Sequence, residues 1–228
     1  MIRAQLIRAA GSLVVAGLLA TACTSPALAE SVVATPAAKT IANEKGLKTA
    51  IFAGGCFWGI EGVFSHVKGV TSAVSGYHGG AAATAKYDLV SNGDTGHAEA
   101  VKVTYDPAVV RYDELLRVFF AVGADPTQLN RQGPDSGTQY RTALVPMNAE
   151  QGTVAAAYLA QLKASGLWKK PLVARIERAQ AFYPAETYHQ DFMSKNPAHG
   201  YIRMWDAPKV AGLKRLFPGE YKVGFTAG

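Results

Sequence analysis

Two glycines and a cysteine interrupt the first strongly apolar run of this chain, and that junction constrains the fold more than any other feature. In Ile51-Phe52-Ala53-Gly54-Gly55-Cys56-Phe57-Trp58-Gly59 a short strand-like run enters a pair of residues without side chains. Beyond it Ile60, Val63, Phe64 and Val67 recur at helical spacing, which predicts a helix beginning at or just after Cys56. Gly54 and Gly55 let the backbone turn sharply, so the sulfur projects from the strand's end. A thiol at a helix N-terminus faces unsatisfied N–H groups and the positive end of the dipole, both of which favour the thiolate. The alternative is a small buried hydrophobe, the usual state of a lone cysteine.

The rest of the chain builds one unit around that junction. Val70 to Tyr77 is an extended run ending in the turn signal His78-Gly79-Gly80, and Val101, Val103 and Tyr105 alternate with polar residues as a half-buried strand. Leu115, Val118, Phe119 and Val122 make a helical stripe closed by Gly123. A strand is predicted over Tyr140 to Val145. Asn148 and Gln151 form a capping-box pattern opening a helix to Lys163. Leu172 to Glu177 reads as a last strand and Ala185 to Lys195 as a last helix. The order β-α-β-β-α-β-α-β-α predicts one α+β domain over residues 48–205, with an irregular tail over 206–228. The loops Ala81–Gly96 and Ala124–Thr138 are read as lacking secondary structure and as the place for function.

Residues 1–29 read as a secretory signal peptide: Arg3 and Arg8, an apolar core from Leu13 to Ala20 too short to span a bilayer, and Ala27-Leu28-Ala29 as the cleavage site. The alternative is a lipoprotein anchored through Cys23. Cleavage after Ala29 removes Cys23, one of the chain's 2 cysteines, and leaves Cys56 alone. Residues 30–47, rich in Ala and Thr, are expected to be a flexible linker. The full chain carries a net +6. Its basic residues are dispersed, so a solvated surface is expected, with no nucleic-acid partner and no membrane contact after cleavage.

Three further segments carry chemistry. Tyr87 lies in the first long loop. Glu99, in Gly93-Asp94-Thr95-Gly96-His97-Ala98-Glu99, alternates with Val101 and Val103 and so faces inward. An inward carboxyl is either paired with a Lys or Arg, or holds its proton and can serve as a general acid. Asp135-Ser136-Gly137-Thr138-Gln139-Tyr140-Arg141 puts a carboxylate on a loop and a phenol at a strand start, though a tyrosine taken singly is more often core. His97 offers a partner for Cys56. His66 is read as facing solvent, and with no C-x-x-C or H-x-x-x-H spacing a metal site is not expected.

Together, Gly-Cys-Phe-Trp-Gly at 55–59, Gly-Tyr-His-Gly-Gly at 76–80, Gly-Asp-Thr-Gly-His-Ala-Glu at 93–99 and Gly-Thr-Gln-Tyr-Arg at 137–141 resemble the peptide methionine sulfoxide reductase A family. The resemblance runs from about Thr49 to Tyr201 and implies a two-layer α+β sandwich with a ferredoxin-like core. It further implies that Cys56 attacks the sulfur of an S-epimer methionine sulfoxide while protonated Glu99 hydrogen-bonds its oxygen and gives up the proton. Tyr87 and Tyr140 would add hydrogen bonds to that oxygen, Phe57 and Trp58 would enclose the methyl group, and Asp135 would support the site. The products would be methionine and a Cys56 sulfenic acid. A soft nucleophile, a buried acid and aromatics around a thioether agree with that chemistry.

Two departures stand out. Many family members carry C-terminal resolving cysteines, and Lys195 to Gly228 has none, so regeneration is expected to need an external thiol, thioredoxin-like or a monothiol, with no other cofactor. Ala124 stands where members often have a histidine before Asp-Pro. A monomer is expected. Two rival readings are a cysteine acyl-transferase using Cys56 with His97, and an exported module that binds methionine-like side chains without turnover.

Overall fold

Strand β1 (Lys48–Gly54) occupies the interior of the computed structural model, which describes Met1 and residues 32–228. Its side chains alternate between two apolar layers: Ala50 and Phe52 enter the main core, Ile51 and Ala53 a smaller cluster on the other face. Helix α1 (Phe57–Ser65) starts directly after Cys56, where the apolar spacing predicted it. Then come β2 (Val70–His78), the short helix α2 (Tyr87–Val90), β3 (Ala98–Tyr105) and α3 (Tyr112–Val118). A hairpin of β4 (Arg131–Gln132) and β5 (Asp135–Ser136) precedes β6 (Thr142–Val145) and α4 (Ala149–Ser165). The last elements are β7 (Arg175–Ile176), β8 (Phe182–Pro184), α5 (Phe192–Lys195) and α6 (Ala207–Leu216).

The main sheet has 6 strands in the order β7-β6-β1-β3-β2-β8, with β6 and β7 parallel and the other neighbours antiparallel. Within it β6-β1-β3-β2, with α1 and α3 as the crossovers, is the ferredoxin-like arrangement. Phe52 anchors the helix layer: its ring lies 4.6 Å from Phe64 on α1 and 5.3 Å from Phe119 beyond α3. Replacing such a fully buried ring by alanine costs about 3–5 kcal/mol, so β1 and both crossovers depend on one side chain.

Several expectations are corrected. Both long loops contain structure: a 3₁₀ turn (Ala82–Thr84) and α2 in the first, the β4–β5 hairpin in the second. Tyr140 ends a 3₁₀ turn (Thr138–Tyr140) and does not start the strand. The strand expected over 172–177 narrows to Arg175–Ile176, because Val173 and Ala174 give their N–H groups to Pro126 O. The helix expected over 185–195 is broken by Asp191 at φ 56, leaving a 3₁₀ turn (Thr187–His189) and α5.

Residues 206–228 are not irregular throughout, since α6 starts there with a proline in its first turn, where the missing N–H costs nothing. The rest of that tail forms a strap. Lys222 and Thr226 donate backbone N–H groups to His66 O and Ser65 O, and the His66 ring stacks on Tyr221. His66 is therefore half-buried rather than facing solvent. The segment expected as a linker is laid against the body from residue 32 onward. Val33 N–H donates to Ala121 O, the Thr35 hydroxyl to Arg117 O, and Ala42 N–H to Asp113 Oδ1. The signal peptide and Cys23 lie outside the described residues. Among those described, no helix is long and apolar enough to cross a membrane.

Candidate active site

Gly55 takes φ 87, a left-handed conformation that glycine adopts without strain, and Cys56 follows as the residue capping α1. The thiol emerges partly exposed at a cavity of about 160 Å³. Cys56, Phe57, Trp58, Tyr87, Glu99, Asp135, Tyr140 and Tyr201 line it. All seven residues selected from the sequence thus meet in one place, although they come from four separate stretches of chain.

Glu99 is 2% exposed on β3 and points into the cavity from a position opposite Tyr77 on β2. Its Oε2 accepts the Phe57 backbone N–H at 3.0 Å. Burial pushes its pKa up to about 8, with the charges of Asp135 and Asp206 adding to the shift and the Phe57 hydrogen bond opposing it. Of the two states open to an inward carboxyl, this site favours the protonated one at neutral pH.

The thiol behaves otherwise than its place at a helix N-terminus predicted. Burial, then the carboxylates of Glu99, Asp206 and Asp135, raise Cys56 well above its ordinary value, and only the Trp58 backbone N–H lowers it. The first helical amide, Phe57 N–H, is directed to Glu99 instead of the sulfur. With Glu99 protonated, the second of those upward causes falls away.

The phenols are held as donors. Tyr87 is pushed up to about 12 by burial and by the charges of Glu99 and Cys56. Tyr140 is raised further, again first by burial and then by Glu99 and Asp135. The aromatic wall is fixed from behind: the Trp58 indole stacks on Phe192 at 3.7 Å and 7°, and its Nε1–H donates to His189 Nδ1 at 3.1 Å. Glu186 accepts the Tyr87 backbone N–H at 2.9 Å and the Tyr77 hydroxyl at 2.7 Å, fastening α2 beside the cavity.

Asp135 accepts the hydroxyl of Tyr201, a cavity residue the sequence reading missed. Nothing around Tyr201 distinguishes it from a core tyrosine. Glu186 and His189 were also missed, because a continuous helix was expected over their segment. His97 does not approach the thiol. Its Nδ1 accepts Gly80 N–H at 3.1 Å and its Nε2 faces Ala81 O at 3.0 Å, so both nitrogens are committed to the loop after β2. That removes the imidazole an acyl-transfer reading requires. His78 lies elsewhere, 3.6 Å from Glu177.

The family model described as "Peptide methionine sulfoxide reductase" matches residues 48–219, past the domain end expected at 205. The peptide methionine sulfoxide reductase MsrA 2 of Mesorhizobium japonicum is 57% identical over 176 residues, covering 77% of this chain and 90% of that protein. The MsrA 2 of Synechocystis sp. is 48% identical, covering 78% and 84%. Among solved structures, the reduced form of Mxr1 from Saccharomyces cerevisiae superposes with a TM-score of 0.61 at 32% identity, over 71% of this chain and 92% of that one. Methionine sulfoxide reductase A of Corynebacterium diphtheriae gives 0.57 at 33%, covering 74% and 86%. The family model spans every residue that lines the cavity, and the chain belongs to the peptide methionine sulfoxide reductase family.

Proposed function

We propose that this enzyme reduces the S epimer of methionine sulfoxide, free or in proteins, and so repairs oxidised methionine. The observation that carries the reading is a single cavity that sets the Cys56 thiol among a buried carboxyl, two phenols and a braced indole wall. The sulfoxide oxygen takes hydrogen bonds from Glu99, Tyr87 and Tyr140, and its methyl group lies against Phe57 and Trp58. As the Cys56 sulfur bonds to the substrate sulfur, negative charge grows on the oxygen and Glu99 transfers its proton there. The substrate S–O bond and the transient bond between the two sulfurs then break as the protonated oxygen bonds to Cys56, which leaves a sulfenic acid there and releases methionine. The proton lost by the thiol balances the one Glu99 gave, so the step is proton-neutral and the carboxyl is restored. Asp135 holds the hydroxyl of Tyr201, whose ring meets the Trp58 indole edge-on at 5.9 Å, and so shapes the cavity edge.

Regeneration uses an external thiol, a thioredoxin-like protein or a monothiol, because the only other cysteine in the sequence is Cys23. The signal-like residues 1–29 support export to the periplasm or beyond, with a Cys23 lipid anchor as the second possibility. A chiral sulfur can place its oxygen on the donors and its methyl on the wall in one configuration only. Turnover of resolved S- and R-methionine sulfoxide with dithiothreitol tests this: the S epimer should react and the R epimer should not, and equal rates would overturn the assignment. Cys56→Ser should abolish turnover.

A further inference from the structure

We propose that Gln132 is a positioning residue for the reductive step: its side chain fixes the turn that projects Cys56 and holds the Asp135 edge of the cavity to it. The proposal rests on the reductase reading above.

Gln132 is 2% exposed, on the hairpin beside the thiol turn. A Cβ added to Gly55 would come within 2.4 Å of Gln132 Cβ and 2.8 Å of Cγ, so the glutamine stem lies on the bare face of the residue preceding the nucleophile. Its amide is bonded at both ends. Oε1 accepts Asp125 N–H at 3.0 Å, while Nε2 donates to Asp125 O at 2.8 Å and to Thr142 Oγ1 at 2.7 Å. Thr142 pairs with Gly54 across β1 and β6, and lies two residues after Tyr140. In the hairpin Gln132 faces Asp135, whose carboxylate accepts the Tyr201 hydroxyl.

One buried amide therefore joins four pieces of the site: the Gly54–Gly55 turn, the start of β6 below Tyr140, the Asp125 segment and the hairpin bearing Asp135. An apolar side chain could fill the same volume without a desolvation cost, so packing alone does not call for an amide here. What the hydrogen bonds add is direction, and a displacement of about 1 Å at the reacting atom can slow a reaction by roughly a hundredfold.

The test uses the full chain with Cys23→Ser throughout, so that Cys56 is the only thiol. Gln132→Met keeps the stem over Gly55 and removes the amide, whereas Gln132→Ala removes both. Single-turnover reduction of S-methionine sulfoxide should slow about tenfold in the Met variant and about a hundredfold in the Ala variant, with kcat carrying the loss and KM little changed. The pH profile of Cys56 alkylation by iodoacetamide should shift in both variants. A Met variant within twofold of its parent in rate and alkylation profile would overturn the proposal. So would losses that only follow the folded fraction measured by near-UV circular dichroism. A parent that reduces neither epimer would refute the reductase reading instead, and the alkylation profiles would still report on Gln132.

Discussion

The backbone N–H of Phe57 donates to Glu99 Oε2 at 3.0 Å, tying the residue after the nucleophile to the buried acid of the neighbouring strand. Helix start and proton donor cannot move independently. Glu99→Gln keeps the shape and an acceptor for Phe57 N–H but cannot supply the proton. The reductive step should slow by roughly a hundredfold or more. Since the active form of Glu99 is protonated and its pKa lies at about 8, the single-turnover rate should fall as pH climbs through that value. In the Gln variant this alkaline fall should vanish, leaving only the rise that follows thiol ionisation. An unchanged profile would remove Glu99 as the acid.

Tyr87→Phe and Tyr140→Phe should each cost less than loss of Glu99, about tenfold, the scale of one neutral hydrogen bond. The double variant should lose more than either single one, because the two phenols serve the same oxygen from α2 and from the turn before β6. Stopped-flow single turnovers of both singles and the double would measure this. A double variant no slower than the singles would mean that only one phenol reaches the oxygen.

Glu61 makes a prediction about stability. It is 0% exposed on α1, its Oε2 accepts Asp191 N–H at 3.1 Å, and burial, with the Asp191 charge adding, raises its pKa from 4.5 to about 7. A carboxyl raised in the folded state contributes stability that is fully present below its unfolded value and is lost as pH rises through the folded one. Glu61→Gln should therefore match the parent in Tm near pH 4 and exceed it at pH 8. A difference in Tm that stays constant with pH would show that Glu61 does not ionise in this window.

Recycling can be read by mass. With Cys56 as the sole thiol, one equivalent of S-methionine sulfoxide without reductant should leave the protein heavier by one oxygen, trapped by a sulfenic-acid probe. Added monothiol should then give a mixed disulfide before release. In the unprocessed chain, a dehydrated species with a Cys23–Cys56 disulfide would show that the N-terminal segment can serve as a resolving arm.

Period and turn chemistry made the centre of this fold legible. The apolar spacing after Gly54-Gly55 located α1, the alternation around Glu99 turned that carboxyl inward, and Asn148 capped α4 by accepting Gln151 N–H at 2.8 Å. What stayed hidden depends on contacts distant in sequence. Nothing near Thr187 announces that Asp191 will take a left-handed turn, or that His189 will meet Trp58 across 131 residues. The sign of the Cys56 shift was hidden for the same reason. The helix terminus is local and visible, whereas the burial and the acids that outweigh it come from β3, the hairpin and the turn before α6. Two-residue strands such as β7 carry too few side chains to show a period.

The strap over α1 has a consequence in time. Residues 222 and 226 close on Ser65 and His66, Tyr201 enters the cavity late, and β1 waits for β6 on one side. At about 5–20 residues per second, the chain between Cys56 and these partners takes roughly 4–34 s to polymerise. Throughout that interval the thiol is an ordinary cysteine on an unfinished scaffold, without the buried acid's enclosure or the indole wall. The selectivity of the site for one sulfoxide is therefore acquired only when these distant segments have closed on it.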